Sequence, residues 1–235
     1  MKKIRVSNEL IYVLAVIVLS FATAMLAAAD LGMSMVVAPA YIVSLKVKAL
    51  TFGQAEYIVQ GMLFILFCVL MKKVRRLYFF SFVSGLIYGA VLDFWRMVIP
   101  RFDPERFAPG SLPLSIRIVY FIVGFLLNSL GVALYFKTYF YPQVYEFFVK
   151  GISRQFKIAL PEFKIRFDMT CLVIAIVLSF SLFYGLVGIG VGTVVLALGN
   201  GALIGFYGRW MDRHLDTWDR WERLSERFEN GFSLK

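Results

Sequence analysis

Two similar seven-residue strings stand 112 positions apart in this chain: residues 89–95 read GAVLDFW and residues 201–207 read GALIGFY. Each string lies late in a long apolar stretch, and each of these stretches is the third in its half of the chain. A segment that crosses a membrane three times ends on the opposite side, so a second copy of it is inverted. The sequence therefore predicts an all-α integral membrane protein built from two inverted three-helix repeats.

The composition excludes a soluble domain. Hydrophobic residues make up 60% of the 235 residues, compared with roughly 45–50% in soluble proteins. The apolar runs of about 20 residues each match a hydrocarbon core about 30 Å thick. The net charge of +10 does not indicate a nucleic-acid partner, because the basic residues lie in the loops between apolar runs. The lipid bilayer is the expected partner.

We predict six transmembrane helices of mostly about 20 residues. They lie at 9–29, 53–71, 77–99, 114–136, 169–187 and 191–208. The predicted units are a first repeat with its outer loop (1–113), a second repeat (114–210) and a C-terminal segment (211–235).

Charge placement predicts the orientation of the chain in the membrane. With the N-terminus inside, 19 of the 25 Lys and Arg residues lie in inner segments and six in outer ones. Under the positive-inside rule, both termini are then cytoplasmic. The apolar run after residues 1–8 is too long for a signal peptide, so we expect an uncleaved first helix. The predicted location is the bacterial inner membrane.

Three segments outside the crossings are expected to form amphipathic or interfacial helices. Residues 30–52 are apolar but too short for a crossing with its turns, so we expect an interfacial or partly re-entrant helix. Residues 137–168 mix aromatic with basic residues, which is typical of a helix lying on an anionic cytoplasmic leaflet. Residues 211–235 carry opposite charges at helical spacing, such as Asp216 and Arg220, and predict a cytoplasmic amphipathic helix.

Small residues recur four apart in the third and sixth crossings. They are Gly85 and Gly89 in the first half and Ala197, Gly201 and Gly205 in the second. Small residues at this spacing let helix backbones approach closely in lipid. We expect the third and sixth crossings to meet near a pseudo-two-fold axis, with a homodimer contact as a competing use of the same surface.

A glycine-rich string joins the fifth and sixth crossings at Gly188, Gly190 and Gly192. Its spacing differs from that of a nucleotide-binding fingerprint, and no strand precedes it. A tight hairpin is the favoured interpretation. The alternative is a functional helix N-terminus, whose free N–H groups suit an anion.

Charged and amide side chains inside the apolar runs are the candidate solute or ion pathway. Such groups are costly in a bilayer and tend to face a cavity or pair with one another. Asp93 and Arg96 are three residues apart and could simply neutralise each other. Buried amides are as easily explained as links between helices. The candidates are Asp30, Glu56, Asp93, Arg96, Arg117, Asn128 and Asn200.

The sequence contains no residue set that supports an enzyme. It has no Ser/His/Asp set, no pair of carboxylates on one helix and no phosphate-binding loop. One histidine, His214, and two separated cysteines, Cys68 and Cys171, do not make a conventional zinc site. We therefore expect neither a cofactor nor a metal.

Several short strings resemble the YitT/YczE/YyaS family of bacterial integral membrane proteins. They are ADLGMS at 29–34, LTFG at 50–53 and GVGT at 190–193, and the resemblance covers most of the chain except its C-terminal tail. The chain departs from the family pattern at Met35, where a proline often follows, and at 139–142, where a Leu-Gly pair is missing. The resemblance implies an inner-membrane protein with repeated halves, in a family that is largely uncharacterised.

Two functions are compatible with these features. The first is a small-solute transporter with a site between the repeats, in which Asp93 is the best candidate for coupling to a proton or cation. The second is a non-transporting scaffold or regulator that acts through the cytoplasmic segments 137–168 and 209–235.

Overall fold

The computed structural model describes residues 3–72, 78–103, 112–221, 223 and 225–226. Within these residues the chain forms eight α-helices and two short strands. The helices are α1 (Asn8–Ala29), α2 (Ala38–Lys46), α3 (Phe52–Met71), α4 (Phe79–Val98), α5 (Leu114–Lys137), α6 (Val144–Phe156), α7 (Leu160–Phe183) and α8 (Val191–His214). The strands are β1 (Ile4–Ser7) and β2 (Leu215–Trp218).

Local capping explains where the first long helices begin and end. The Ser7 hydroxyl accepts the N–H of Leu10 at 3.3 Å and so satisfies a free donor in the first turn of α1. Asp30 ends the same helix in the left-handed conformation, with φ of 49°. Thr51 and Gln54 form a reciprocal capping box at the start of α3.

Five helices, α1, α3, α5, α7 and α8, are long and apolar enough to cross a membrane. The chain is therefore an α-helical protein of membrane type. The 20-residue helix α4 has the required length but is not among these five, since Asp93 and Arg96 near its end reduce its apolarity.

The fifth crossing begins about two turns earlier than the sequence predicts. The hydropathy pattern predicts 169–187, whereas α7 begins at Leu160 and ends at Phe183. Pro161 suits the first turn of a helix because it has no N–H to satisfy. The charges in the early turns pair at i,i+4 spacing: Arg166 with Glu162 at 2.6 Å and Lys164 with Asp168 at 3.0 Å. This pairing lets the helix extend into a segment that the hydropathy pattern excludes.

The centre of the bundle is the antiparallel pair α1 and α5. Gly124 and Gly131 lie seven residues apart on α5 and face Leu26 and Leu19 of α1. A Cβ added at these glycines would lie 3.0 Å and 2.8 Å from leucine side-chain carbons, so the helices approach closely only because both residues lack a side chain.

The expected contact between the third and sixth crossings does not form. Gly89 of α4 faces Tyr57 of α3, and α4 packs on α1, α3 and α6. Gly201 of α8 has nothing within 4 Å of an added Cβ, and Gly205 meets only Arg209 of its own helix. The small-residue spacing indicates where a close approach is possible, but it does not select the partner.

Helix contacts in the two halves correspond in several places. α1 packs on α4 as α5 packs on α8, and α2 packs on α3 as α6 packs on α7. The short helices also cross between halves, α2 to α7 and α6 to α3. One correspondence is missing in the described residues: α3 packs along α4, whereas α7 and α8 lie apart.

The two short helices are half-length elements inside the bundle. α6 begins beside the middle of α3, where the Val144 N–H approaches Gln60, and Phe147 then packs on Phe67 further along α3. The prediction that 137–168 lies on the leaflet surface is wrong for α6, because its apolar face contacts protein. Amphipathicity alone cannot distinguish a lipid surface from a neighbouring helix.

The other half-length helix, α2, runs towards the end of α7. The Lys46 ammonium, in its last turn, donates to the carbonyl of Leu182 at 2.9 Å. At about 1.5 Å per residue, its nine residues span about 13 Å. The first turn of α2 therefore lies deeper in the bundle than its last, as in the re-entrant alternative for 30–52.

The two chain ends meet at one end of the bundle, which we call the terminal end. β1 pairs in parallel with β2, with Ile4 opposite Leu215 and Ser7 opposite Trp218. The predicted amphipathic helix over 211–235 is therefore wrong at 215–218, and Asp216 pairs with Arg5 rather than with Arg220. Residues 215–218 form a strand rather than a helix because β1 provides backbone hydrogen-bond partners for them. The periodicity of the sequence gives no information about such a distant partner. Most residues after 221 lie outside the described residues.

Candidate functional site

A cleft of about 580 Å³ lies between α7 and α8, the two long helices that are not packed along each other. Its inner wall includes Leu19 and Thr23 from the middle of α1 and Asn128 and Val132 from α5. The first turn of α6 and residues 34–37, which lead into α2, also line it. This volume is within the range of small-molecule sites.

Three charged side chains line the cleft. The Lys164 ammonium donates to the Asp168 carboxylate at 3.0 Å, one turn along α7. Glu146, in the first turn of α6, lines the same cleft. Burial raises the pKa of Glu146, and the nearby Lys164 charge partly offsets this rise. When all three are ionised, two carboxylates face one ammonium and leave a net negative charge.

The N-terminus of α6 opens at the cleft without a side-chain cap. Its N-cap residue, Gln143, is 5% exposed and lines the cleft. The Gln143 Nε2 amide has no hydrogen-bond partner in the described residues. The first turn of a helix also carries free N–H groups and a partial positive charge. In α6 the Val144 N–H is used by Gln60, so the Gln143 amide is the side-chain donor that is left next to the Glu146 carboxylate.

A buried polar network lies behind the first turn of α6. Glu56 is fully buried in α3. Its Oε2 accepts hydrogen bonds from Gln60 Nε2 at 3.1 Å and from the Tyr145 hydroxyl at 3.0 Å. The same Gln60 amide donates to Gln143 Oε1 at 3.2 Å. Among the described residues, Glu56 Oε1 has no partner.

Aromatic side chains form part of the cleft wall. Tyr88 of α4 donates its hydroxyl to Thr23 at 2.8 Å and is fixed by that bond. The buried hydroxyl of Tyr135 makes no hydrogen bond of standard geometry in the described part of the chain, and it lies close to Ser84 and to the Gln143 amide. Both rings line the cleft with Phe136 and Tyr145. The cleft is thus largely apolar with a few convergent polar groups, which is typical of sites for small molecules.

Two of the seven pathway candidates selected from the sequence line this cleft, as do Ala197 and Gly201 of the small-residue pattern. Asn128 of α5 is buried at the cleft, and Asn200 of α8 is also part of the cleft wall. Asn200 is held by a hydrogen bond from the Ser129 hydroxyl at 2.7 Å. Glu56 lies one residue layer behind the cleft, with Tyr145 and Gln143 between.

Asp30 and Arg117 lie away from the cleft and pair with each other. The Arg117 Nη2 is 3.0 Å from Asp30 Oδ2, and its Nε donates to the carbonyl of Ala29 at 2.8 Å. The guanidinium therefore satisfies the free carbonyls at the end of α1 and attaches them to α5. This contact accounts for both charges structurally.

Asp93 and Arg96 also have structural partners, and they do not pair with each other. Asp93 accepts the Thr51 hydroxyl at 2.5 Å and the Gly53 N–H at 2.8 Å, so it caps the N-terminus of α3. Arg96 pairs with Asp103 at 2.9 Å. Neither side chain lines the cleft.

The glycine turn is a packing element. Gly188 has a positive φ of 71°, which favours glycine. Its carbonyl accepts the N–H of Met33 at 2.9 Å, and the Gly192 N–H donates to the Leu31 carbonyl at 2.7 Å. A Cβ at Gly190 would lie 2.6 Å from that same carbonyl oxygen. Because the Gly192 donor is already used, the structure favours the hairpin over an anion site.

The sequence analysis missed five residues of the cleft and its network. Two signals in the sequence could have indicated them. Pro142 precedes the short helix α6, and Lys164 and Asp168 stand at i,i+4 spacing at the start of the apolar helix α7. The missed residues are Gln143, Tyr145, Glu146, Lys164 and Asp168. Within the described ranges, no group of three His, Cys, Asp or Glu side chains could hold a metal ion.

Comparison with known proteins places the chain in a family without assigning it an activity. Residues 6–209 match a family described as one of unknown function, DUF6198. No curated protein and no solved structure matches the chain. Since the match covers far more than half of the 235 residues, the chain belongs to the family of unknown function DUF6198.

Proposed function

We propose that this protein is a small-solute permease of the bacterial inner membrane, with its solute site in the cleft between α7 and α8. The observation that carries the proposal is that the N-terminal ends of two half-length helices, α2 and α6, meet at one largely apolar cleft with three charged side chains, inside a bundle of apolar helices. Discontinuous helices whose N-termini end at a central site are a recurring feature of secondary transporters.

In this proposal α4 is the sixth crossing and the two halves are inverted repeats. α4 runs along α1, with Ser84 accepting the Tyr12 hydroxyl at 2.8 Å near the terminal end and Trp95 packing on Phe21 towards the other end. The capping role of Asp93 supplies hydrogen bonds for its charge. The paired helix contacts of the two halves support the repeat, and cytoplasmic termini agree with their meeting at one end. The resemblance to the YitT/YczE/YyaS family stays a prediction.

The missing contact between α7 and α8 suggests how such a permease works. In transporters with inverted repeats, alternating access is largely a rocking of one repeat against the other around a fixed site. Here α3 is packed along α4 while the equivalent pair in the second half is apart. Closing α7 on α8 and opening α3 from α4 would then expose the site to the opposite side.

The alternative of a scaffold has less support. In one of its two predicted docking segments, 137–168, the aromatic face of α6 is in contact with α3, α4 and α7. A partner would have to displace these contacts.

Narrowing the cleft tests the permease. Ala197 lines it, whereas Val194, one turn earlier on the same helix, is 56% exposed and does not. We would offer proteoliposomes a defined mixture of metabolites and measure accumulation by mass spectrometry. Ala197→Trp should abolish the accumulation of the solute that the parent protein takes up, and Val194→Trp should retain it.

Equal accumulation by both variants would exclude the cleft as the pathway. A parent protein that accumulates nothing from the mixture in either direction of imposed gradient would argue for the scaffold instead.

A further inference from the structure

Within one turn of α6, the cleft contains a carboxylate that forms no ion pair in the described part of the chain, that of Glu146, and an amide N–H donor that forms no hydrogen bond of standard geometry there, that of Gln143. Gln143 is the N-cap residue and Glu146 lies three positions later, in the first turn. Residues three apart on a helix are neighbours on its surface. The Glu146 carboxylate, which prefers a cationic ligand group, therefore lies next to the Gln143 amide, which can donate to an anionic one.

Glu146 is the negative charge that the cleft leaves available. Its neighbour Asp168 already accepts a hydrogen bond from Lys164. The described residues include no ion pair of Glu146, although the charges of Lys164 on α7 and Lys150 on α6 act on it. A ligand ammonium at Glu146 would thus supply a contact that the protein itself does not make.

Gln143 is the donor that the cleft leaves available. Its Oε1 is used by Gln60, which fixes the amide, while its Nε2 makes no hydrogen bond of standard geometry within the described residues despite 5% exposure. A buried donor without a full hydrogen bond is costly, so such groups commonly mark a ligand or water position. The Tyr135 hydroxyl lies on the same wall close to this amide and also makes no hydrogen bond of standard geometry, so a ligand oxygen at Gln143 would replace a weak contact between the two.

The remaining lining limits the size and polarity of the ligand. It is mostly aliphatic and aromatic, with Leu19, Val132, Phe136, Leu196 and Ile204 among its members. At about 580 Å³, the cleft can hold a small molecule with an apolar body.

From these groups we propose that the cleft binds a small zwitterion, an amino-acid-like molecule with an ammonium, a carboxylate and an apolar side chain. The ammonium lies at Glu146, and the carboxylate accepts from the Gln143 amide at the positive end of α6. The apolar side chain faces the aliphatic and aromatic wall. This inference rests on the permease proposal, because it names the substrate class of the same cleft.

Three probes of matched shape test the charge requirement on the full-length, detergent-solubilised protein. They are phenylalanine, phenethylamine, which lacks the carboxylate, and 3-phenylpropionate, which lacks the ammonium. Calorimetric titration should give phenylalanine the highest affinity, about tenfold or more above either analogue, as expected when a charged hydrogen bond to a buried partner is lost. Equal affinity for phenylalanine and either analogue would overturn the proposal.

A charge-removing variant locates the ammonium site. Glu146→Gln should lower phenylalanine affinity about tenfold, whereas 3-phenylpropionate affinity should not fall, because the adjacent negative charge that repels its carboxylate is removed. Glu162→Gln provides the control, since Glu162 is exposed in the first turn of α7 and does not line the cleft. An unchanged phenylalanine affinity in Glu146→Gln would contradict the assignment. If this variant fails to fold, the comparison of the three probes on the parent protein still decides.

The cleft-narrowing variant separates the two proposals. If no probe binds but Ala197→Trp still blocks accumulation of another solute, the zwitterion is wrong and the permease stands. If no probe binds and Ala197→Trp changes nothing, both are wrong.

Discussion

The Tyr145 hydroxyl donates a 3.0 Å hydrogen bond to Glu56, joining the first turn of α6 to α3 inside the bundle. Glu56 also accepts from Gln60, so a single carboxylate oxygen holds two donors from two helices. This contact sets the depth at which α6 begins, and therefore where the first turn of α6 meets the cleft. Removing the Glu56 carboxylate leaves the buried Tyr145 hydroxyl without this acceptor, whereas without Tyr145 the carboxylate still accepts from Gln60.

We expect Glu56→Ala to lower the free energy of unfolding by about 1–3 kcal/mol, because it leaves the Tyr145 hydroxyl without an acceptor and removes one of the two acceptors of the Gln60 amide. Tyr145→Phe should cost less, since it removes the donor together with its need for a partner. Denaturant unfolding in detergent measures both. Tyr184→Phe, at a position that is 92% exposed, should match the parent. A fully stable Glu56→Ala would mean that the network contributes little.

Asp93→Ala should weaken the N-terminus of α3 and leave solute accumulation intact. It removes the acceptor for the Thr51 hydroxyl and the Gly53 N–H. Losing such a cap typically costs about 0.5–2 kcal/mol. Thermal unfolding and the proteoliposome assay, with exposed Asp216→Ala as the control, separate a structural role from coupling. Folded but inactive Asp93→Ala protein would restore the coupling role.

Two glycine substitutions should have opposite signs. Gly131→Ala places a Cβ 2.8 Å from a Leu19 side-chain carbon and should destabilise the α1–α5 contact. Overpacking of this kind typically costs about 1–3 kcal/mol. Gly201→Ala meets nothing within 4 Å and should stabilise α8 by about 0.5–1 kcal/mol through helix propensity. Unfolding midpoints of the two proteins decide, and equal midpoints would contradict the described packing.

The chain ends should separate when Glu9 is removed. Glu9 Oε1 accepts the Tyr139 hydroxyl at 2.8 Å and the N–H groups of Arg220 and Trp221 at 3.0 and 3.2 Å. Glu9→Ala should therefore increase hydrogen exchange at 215–221, read by mass spectrometry. Exchange in α5 serves as the internal reference. Unchanged exchange at 215–221 would show that the strand pairing alone holds the tail.

Zwitterion binding should weaken as the pH falls through the pKa of Glu146. Burial raises this pKa above its ordinary value of 4.5, so the carboxylate is protonated at a higher pH than usual. The charged groups that act on Glu146 are Lys164 and Asp168 of α7 and Lys150 of α6, and Glu56 of α3 also interacts with it. Calorimetric titration of phenylalanine across pH measures the effect.

The raised pKa of Glu146 also determines how the free energy of unfolding depends on pH. The folded state holds the Glu146 proton more tightly than the unfolded state, so the free energy of unfolding falls as the pH rises from below 4.5 to above the raised pKa. Glu146→Gln should remove this part of the pH dependence. A pH profile of unfolding that is identical in the two proteins would contradict the raised pKa.

The location of most long helices follows from hydropathy, because each apolar run of about 20 residues must bury its backbone hydrogen bonds in a helix. α1, α3 and α5 begin and end within one residue of their predictions. The start of α7 was missed, since charge pairing along the helix compensates for low hydropathy. Asn128 and Asn200 are pathway candidates from the sequence, and both line the cleft. Glu146 also lines it but is not a candidate from the sequence, because its role depends on residues that lie near it only in the folded chain.

Composition and the length of the apolar runs are enough to predict an α-helical protein of membrane type, because helices satisfy the backbone hydrogen bonds of such runs in lipid. Which polar groups stabilise the fold and which remain available to a ligand depends on the contacts between helices. Asp93 was selected as a coupling residue and caps a helix, whereas Gln143 stands unsatisfied at a cleft. Partner choice depends on distances between residues far apart in sequence, and one-dimensional periodicity contains no information about them.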